Sequence, residues 1–143
     1  MSQQEVVLLL GTNLGNKVQN LNDAKERIKN EIGTILTESE ILETKPVEFV
    51  SSNNFFNFAL LINTQFSPIN LLKSIKKIEK DLGRIEDTLS TGTYSDRIID
   101  VDIVSYNNIN FKCNVLEIPH IKHLYEREFS MSILSNLKKI KHK

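Results

Sequence analysis

A chain of 143 residues, 40% of them hydrophobic, has room for one domain around a real hydrophobic core. Eighteen basic residues balance eighteen acidic ones, so no global field draws the protein to nucleic acid or to an anionic membrane, and any anion must be held by locally arranged charge. One cysteine excludes an internal disulfide, no apolar run approaches the ~20 residues of a membrane span, and the start lacks the regions of a signal peptide, so the expected address is the reducing cytosol.

Val6–Leu10 (VVLLL) reads as a buried strand that stops at a turn-rich loop, Gly11 to Asn16. Val18, Leu21, Ile28 and Ile32 then recur at helical spacing, with Gly33 as the C-terminal cap. Ile35–Glu43 alternates as a strand, and Thr44–Asn54 reads as a loop. Phe55–Thr64 is the next strand: Phe56, Phe58, Leu60 and Ile62 share one face, Phe55, Asn57, Ala59 and Leu61 the other. Ser67-Pro68 opens a helix whose apolar stripe is Leu71, Leu72, Ile75, Ile78 and Leu82, and Gly83 ends it. A loop poor in apolar residues, Arg84–Asp96, leads into a β-branched strand through Ile98–Val104. Asn107-Asn108 turns into a short strand at Ile109–Lys112; a loop through Pro119 and His120, a helix near Phe129–Leu137 and a lysine-rich tail follow. With no internal repeat or linker, residues 1–143 form one domain. The order β-α-β-β-α-β, plus a C-terminal hairpin and helix, is an α+β, ferredoxin-like arrangement: an antiparallel sheet with helices on one face.

Three groups of residues carry candidate chemistry. Asp100 and Asp102 interrupt a β-branched run, although aspartate is depleted in strands. Alternate residues share a face, so the two carboxylates point the same way, their Cα atoms roughly 7 Å apart. Either they form a polar face on an edge strand, solvated or paired with lysines, or they hold a divalent metal. Arg84, Arg97, His120 and Arg127 surround the pair in sequence, and arginine with metal suits polyphosphate chemistry. The segment between Arg84 and Arg97 is either a mobile loop or a lid that brings Arg97 over phosphates. Finally, Phe55 beside Asn57 suits a flat heterocycle, the ring stacking while the amide reads its edge; the alternative is a covered aromatic and a polar strand-edge residue. Cys113 reads as a free surface thiol, and the glycines of the Gly11–Asn16 loop as a strand-to-helix turn from which Asn13 can reach a site.

In chain order, LGTNLGN (10–16), ETKP (43–46), NNFFNFA (53–59), IEKDLGR (78–84), RIIDVDIV (97–104) and IPH…ER-F (118–129) resemble the motifs of the 6-hydroxymethyl-7,8-dihydropterin pyrophosphokinases of folate biosynthesis. The resemblance implies transfer of pyrophosphate from ATP to the pterin hydroxymethyl group, releasing AMP. By that resemblance Asp100 and Asp102 match ligands of two Mg²⁺ ions, and Thr44, Val47, Phe55, Asn57 and Phe129 match a pterin pocket. Glu79, Arg84, Arg97, Ile103, His120 and Arg127 match positions around ATP, with Arg84, Arg97 and Asp102 as the catalytic set. The partners expected are these small molecules, not nucleic acid or membrane, met by a monomer.

The chain departs from the family pattern at Glu86, in the lid, where a basic residue is common, and at Ile121 and Lys45, beside His120 and Pro46. The lid is long and the chain has no tryptophan to close it, which leaves Tyr94 as the candidate. The chain ends soon after Leu137, so no fused folate enzyme is expected to follow. Against this stands a non-catalytic ferredoxin-like metabolite- or RNA-binding domain. Its RNA-binding form lacks the aromatic RNP pattern here, and its metabolite-binding form has no use for two co-facial aspartates.

Overall fold

The computed structural model describes residues 3–45, 54–83 and 98–141. Its order is β1 (Gln4–Thr12), α1 (Lys17–Glu31), β2 (Gly33–Glu38), β3 (Leu42–Thr44), β4 (Phe55–Thr64), α2 (Pro68–Asp81) and β5 (Asp100–Tyr106). A small hairpin of β6 (Phe111–Lys112) and β7 (Glu117–Ile118), a π-helical turn at Lys122–Glu126 and α3 (Glu128–Lys141) complete it. The main sheet runs β2-β4-β1-β5 with every pairing antiparallel, the ferredoxin-like order.

Strand period sorts the side chains between the two faces of the sheet. Val6, Leu8 and Leu10 of β1, Phe58, Leu60 and Ile62 of β4, and Val101 and Ile103 of β5 pack against Leu21, Ala24 and Ile28 of α1 and Leu71, Ile75 and Ile78 of α2. Burying each such leucine or isoleucine is worth about 1.5–3 kcal/mol. Both helices start on side-chain caps, Asn16 Oδ1 accepting from the Gln19 N–H and Ser67 Oγ from the Asn70 N–H. Leu9, Ala59, Leu61 and Val104 face the other way, where Ile133, Leu134 and Leu137 of α3 cover them. The two core helices thus share one face as expected, and the last helix covers part of the opposite one.

Four sequence expectations change. β1 continues to Thr12, so Gly11 lies inside a strand, opposite Asn57 on β4 and Asp100 on β5. Ile35–Glu43 is two strands, β2 on Leu60–Thr64 and β3 on Phe55–Asn57. Between them Ser39 bridges to β4, its N–H donating to the Ala59 carbonyl at 2.9 Å while its Oγ accepts from the Ala59 N–H at 2.8 Å. The hairpin has a second strand, β7, which composition did not mark, and the π-helical turn precedes the last helix. Lastly, α1 ends on Ile32, and Gly33 is glycine for a different reason: a Cβ there would run into the Asn63 carbonyl of β4. Gly83, with φ +112°, does end α2 in the conformation that favours glycine.

Gly33→Ala is therefore expected to cost about 2–3 kcal/mol, because the clash is with backbone and not with a yielding side chain. A fall in the urea midpoint at unchanged slope would show it; an unchanged midpoint would contradict the close approach.

Candidate active site

β5 is the edge of the main sheet, and its outer backbone groups are met by other parts of the chain. The Val101 N–H donates to Glu79 Oε2 at 2.8 Å, and the Val104 carbonyl accepts from the His120 N–H at 2.8 Å. With Val101 and Ile103 sunk in the core, Asp100 and Asp102 are carried on the opposite face, both half-buried. Glu79, which the resemblance matches to a position around ATP, is 2% exposed under this strand, where it meets the Val101 backbone.

Asp102 does not stand alone. Its Oδ2 lies 2.7 Å from Nε2 of His123, whose Nδ1 lies 2.6 Å from Ser130 Oγ on α3; His123 and Ser130 are buried. An ionised carboxylate only accepts, so Nε2–H is the donor to Asp102, while the Ser130 hydroxyl, which can donate or accept, partners Nδ1. Burial opposes ionisation of Asp102. The hydrogen bond from His123 and the nearby charges of His123, His120 and Arg127 outweigh that, and hold its carboxyl below the usual range. Burial pushes His120 down from its ordinary value, with His123 and Arg127 acting in the same direction and Asp102 against them. The His120 and His123 rings stack with centroids 4.0 Å apart, and the Phe129 ring meets His123 edge-on at 6.1 Å.

Two cavities open here. One, of about 710 Å³, is bounded by Asp100, Asp102, Ile103, His120 and Arg127, with Lys76 of α2 on its wall. The other, of about 740 Å³, is lined by Thr44, Lys45, Glu128 and Phe129. Lys122, Glu126 and Arg127 line both, so the two adjoin. Beside the second, Thr44 pairs with Phe55 across β3 and β4, and the buried Asn57 donates from Nδ2 to Thr44 Oγ1 at 3.2 Å. Ile121 is exposed beside His120 on the first cavity. Val47, Arg84, Arg97, Pro46, Glu86, Tyr94 and the proposed lid lie outside the described residues.

The structure thus gathers Asp100, Asp102, Ile103, His120 and Arg127 at one cavity, and Thr44, Phe55, Asn57 and Phe129 at or beside the other. Sequence reading missed three contributors. Gly11 lies between Asn57 and Asp100, and a Cβ there would come within 2.5 Å of Asn57 Oδ1. His123 and Ser130 anchor Asp102, and the His-x-x-His spacing of His120 and His123, which puts both on one side of a helical turn, was the available signal.

A family model described as 7,8-dihydro-6-hydroxymethylpterin-pyrophosphokinase (HPPK) matches residues 7–139. A 2-amino-4-hydroxy-6-hydroxymethyldihydropteridine pyrophosphokinase of Porphyromonas gingivalis is 33% identical over 92% of this chain and 89% of its own. The folic acid synthesis protein FOL1 of Dictyostelium discoideum is 38% identical over 92% of this chain, which spans only 19% of that protein's length. In the same way the chain spans 25% of a mitochondrial folate synthesis bifunctional protein of Pisum sativum, at 32% identity. A crystal structure of HPPK-DHPS in complex with substrates superposes with a TM-score of 0.73 over 96% of this chain and 40% of that one, at 14% identity. A Plasmodium falciparum HPPK-DHPS with pterin and p-hydroxybenzoate gives 0.72 over 95% and 40%, at 17% identity. At such identities the two superpositions speak for the fold, and it is the family match, together with the Porphyromonas relative, that decides membership: the chain belongs to the 7,8-dihydro-6-hydroxymethylpterin-pyrophosphokinase family.

Proposed function

We propose that the protein transfers the pyrophosphoryl group of ATP to the hydroxymethyl group of 6-hydroxymethyl-7,8-dihydropterin, giving AMP and the pterin diphosphate. The observation that carries this reading is a single cross-strand row, Asn57 on β4, Gly11 on β1 and Asp100 on β5. Neighbouring strands lie ~4.8 Å apart, so the amide that reads the heterocycle and the carboxylate that serves the phosphates stand roughly 10 Å apart on one face. That span suits a pterin lying beside a polyphosphate, and the glycine keeps the floor between them low.

In this reading the ring lies between Phe55 and Phe129, with Thr44, Val47 and Asn57 at its edge. Arg84, Arg97, Arg127 and His120 hold the phosphates. Asp100 and Asp102 offer oxygen donors side by side on a cavity wall, a donor set that fits Mg²⁺, and two ions are expected. Bound there, Mg²⁺ supplies charge neutralisation on the phosphate oxygens. The pterin hydroxyl oxygen attacks the β-phosphorus in line, the bond from that phosphorus to the oxygen bridging to the α-phosphate breaks, and AMP leaves with the electron pair. The hydroxyl proton passes to solvent or to Asp102. Alignment and electrostatic stabilisation supply most of the rate, so no strong base is required. The expected partners are small molecules met by a monomer in the cytosol, and among the described residues no helix is long and apolar enough to cross a membrane.

Incubation with ATP, Mg²⁺ and the hydroxymethyl dihydropterin should yield AMP; ADP, or no turnover, would overturn the reading. Asp102→Ala should abolish Mg²⁺-dependent turnover while leaving the circular dichroism spectrum intact, and near-normal activity would remove Asp102 from the site. Gly11→Ala should weaken pterin binding by about tenfold or more, ~1.4 kcal/mol, by displacing the Asn57 amide, with ATP affinity changed far less; equal losses for both ligands would argue against it. Arg97→Ala should lower kcat by about 100-fold or more while pterin affinity holds, as expected of a contact made in the transition state.

A further inference from the structure

The pair Asp100 and Asp102 offers only oxygen. One turn of chain away, two of the protein's three histidines approach the same aspartate. Asp102, His120 and His123 each present one potential ligand atom, and these atoms lie within 4.8 Å of one another. We propose that these three residues form a second cation site, selective for an imidazole-preferring divalent ion of the Zn²⁺ class, and that filling it inhibits the enzyme by withdrawing Asp102 from Mg²⁺.

The donor set is the first argument. Mg²⁺ takes oxygen ligands in octahedral geometry, whereas two imidazoles and one carboxylate suit Zn²⁺ or Co²⁺. Spacing is the second. A zinc ion with bonds of ~2 Å holds its ligand atoms roughly 3.3 Å apart. His123 Nε2 and Asp102 Oδ2 are already 2.7 Å apart, so a small opening of that pair admits an ion in place of the shared proton. Support around the ligands is the third. Ser130 Oγ, 2.6 Å from His123 Nδ1, can accept from that nitrogen once Nε2 is given to the metal, which is how outer partners fix a ligating imidazole. The His120 backbone is pinned to β5 through Val104, and the stacked rings keep the two imidazoles together. The cavity wall that holds Asp102 and His120 leaves the ion open to a water or a phosphate oxygen on its remaining positions. Binding at the site follows from this geometry alone, while its inhibitory consequence rests on the proposed pyrophosphoryl transfer.

The test uses the full chain, free of metal, in a Cys113→Ser background so that the exposed thiol cannot compete. Titration with Co²⁺ should develop visible ligand-field absorption at one equivalent; Zn²⁺ should bleach it and millimolar Mg²⁺ should not. His120→Asn and His123→Gln should each weaken Co²⁺ binding by about 100-fold, and the half-exposed His120 position serves if the buried His123 variant fails to fold. No visible band, or equal Co²⁺ affinity in a folded His120→Asn variant, would overturn the site. In turnover with Mg²⁺ and ATP, Zn²⁺ should inhibit the wild-type chain and higher Mg²⁺ should relieve it. Unchanged turnover at saturating Zn²⁺ would overturn the inhibition. Absence of any turnover with an intact cobalt spectrum would instead count against the transferase reading and leave the site standing.

Discussion

The hydrogen bond from the Val101 N–H to the buried Glu79 carboxylate is the contact on which the rest of the site depends. Among the described residues β5 has a strand neighbour on one side only, and an edge strand offers unpaired donors and acceptors to any passing chain. Glu79 fills one of these groups from below and the His120 N–H fills another from beyond the hairpin. Both fastenings act on backbone, so they fix the strand's height and register while leaving the side chains of Asp100 and Asp102 to the cavity. A buried carboxylate needs compensation, and a charge-assisted bond to a backbone donor is among the stronger kinds available.

Upon that fixed edge, the sheet divides its labour by face. The side under α1 and α2 is sealed with aliphatic residues and supplies rigidity. On the other side α3 covers the apolar portion, around Leu9, Ala59 and Leu61. α3 also contributes at the boundary, since Ser130 and Phe129 near its start both meet His123. Side chain by side chain, Phe129, His123 and Asp102 connect the cavity lined by Thr44 and Phe129 to the strand that carries Asp100 and Asp102. A shift of α3 along the sheet would therefore reach both cavities at once.

How much of this was visible in the residues follows from the range of each interaction. The parity of Phe55 and Asn57 against Phe56 and Phe58, and of Asp100 and Asp102 against Val101 and Ile103, is local, because a strand repeats every two residues. Both readings held. Which residues stand opposite one another depends on register between strands far apart in sequence, and so Gly11 passed for part of a turn when it is the middle of a cross-strand row. Ile35–Glu43 looked continuous because its alternation continues through Ser39, whose bridge to Ala59 is a tertiary contact with no sequence signature. The burial of Glu79 under β5 depends on how α2 meets that strand, which its position in a motif does not reveal.

The interruption at Ser39 also divides the outer edge of β4 into two independent stretches. β2 holds β4 through Leu60–Thr64, while β3 is three residues long and holds only Phe55–Asn57. Three ladder positions carry little cooperative stability of their own, so β3 can detach in a sub-global opening while β2, α1 and the main core stay formed. Such an opening frees Thr44 from Phe55 and exposes the buried amide of Asn57 without unfolding the domain. Backbone amides of Leu42–Thr44 would then exchange with solvent deuterium ahead of those in β2.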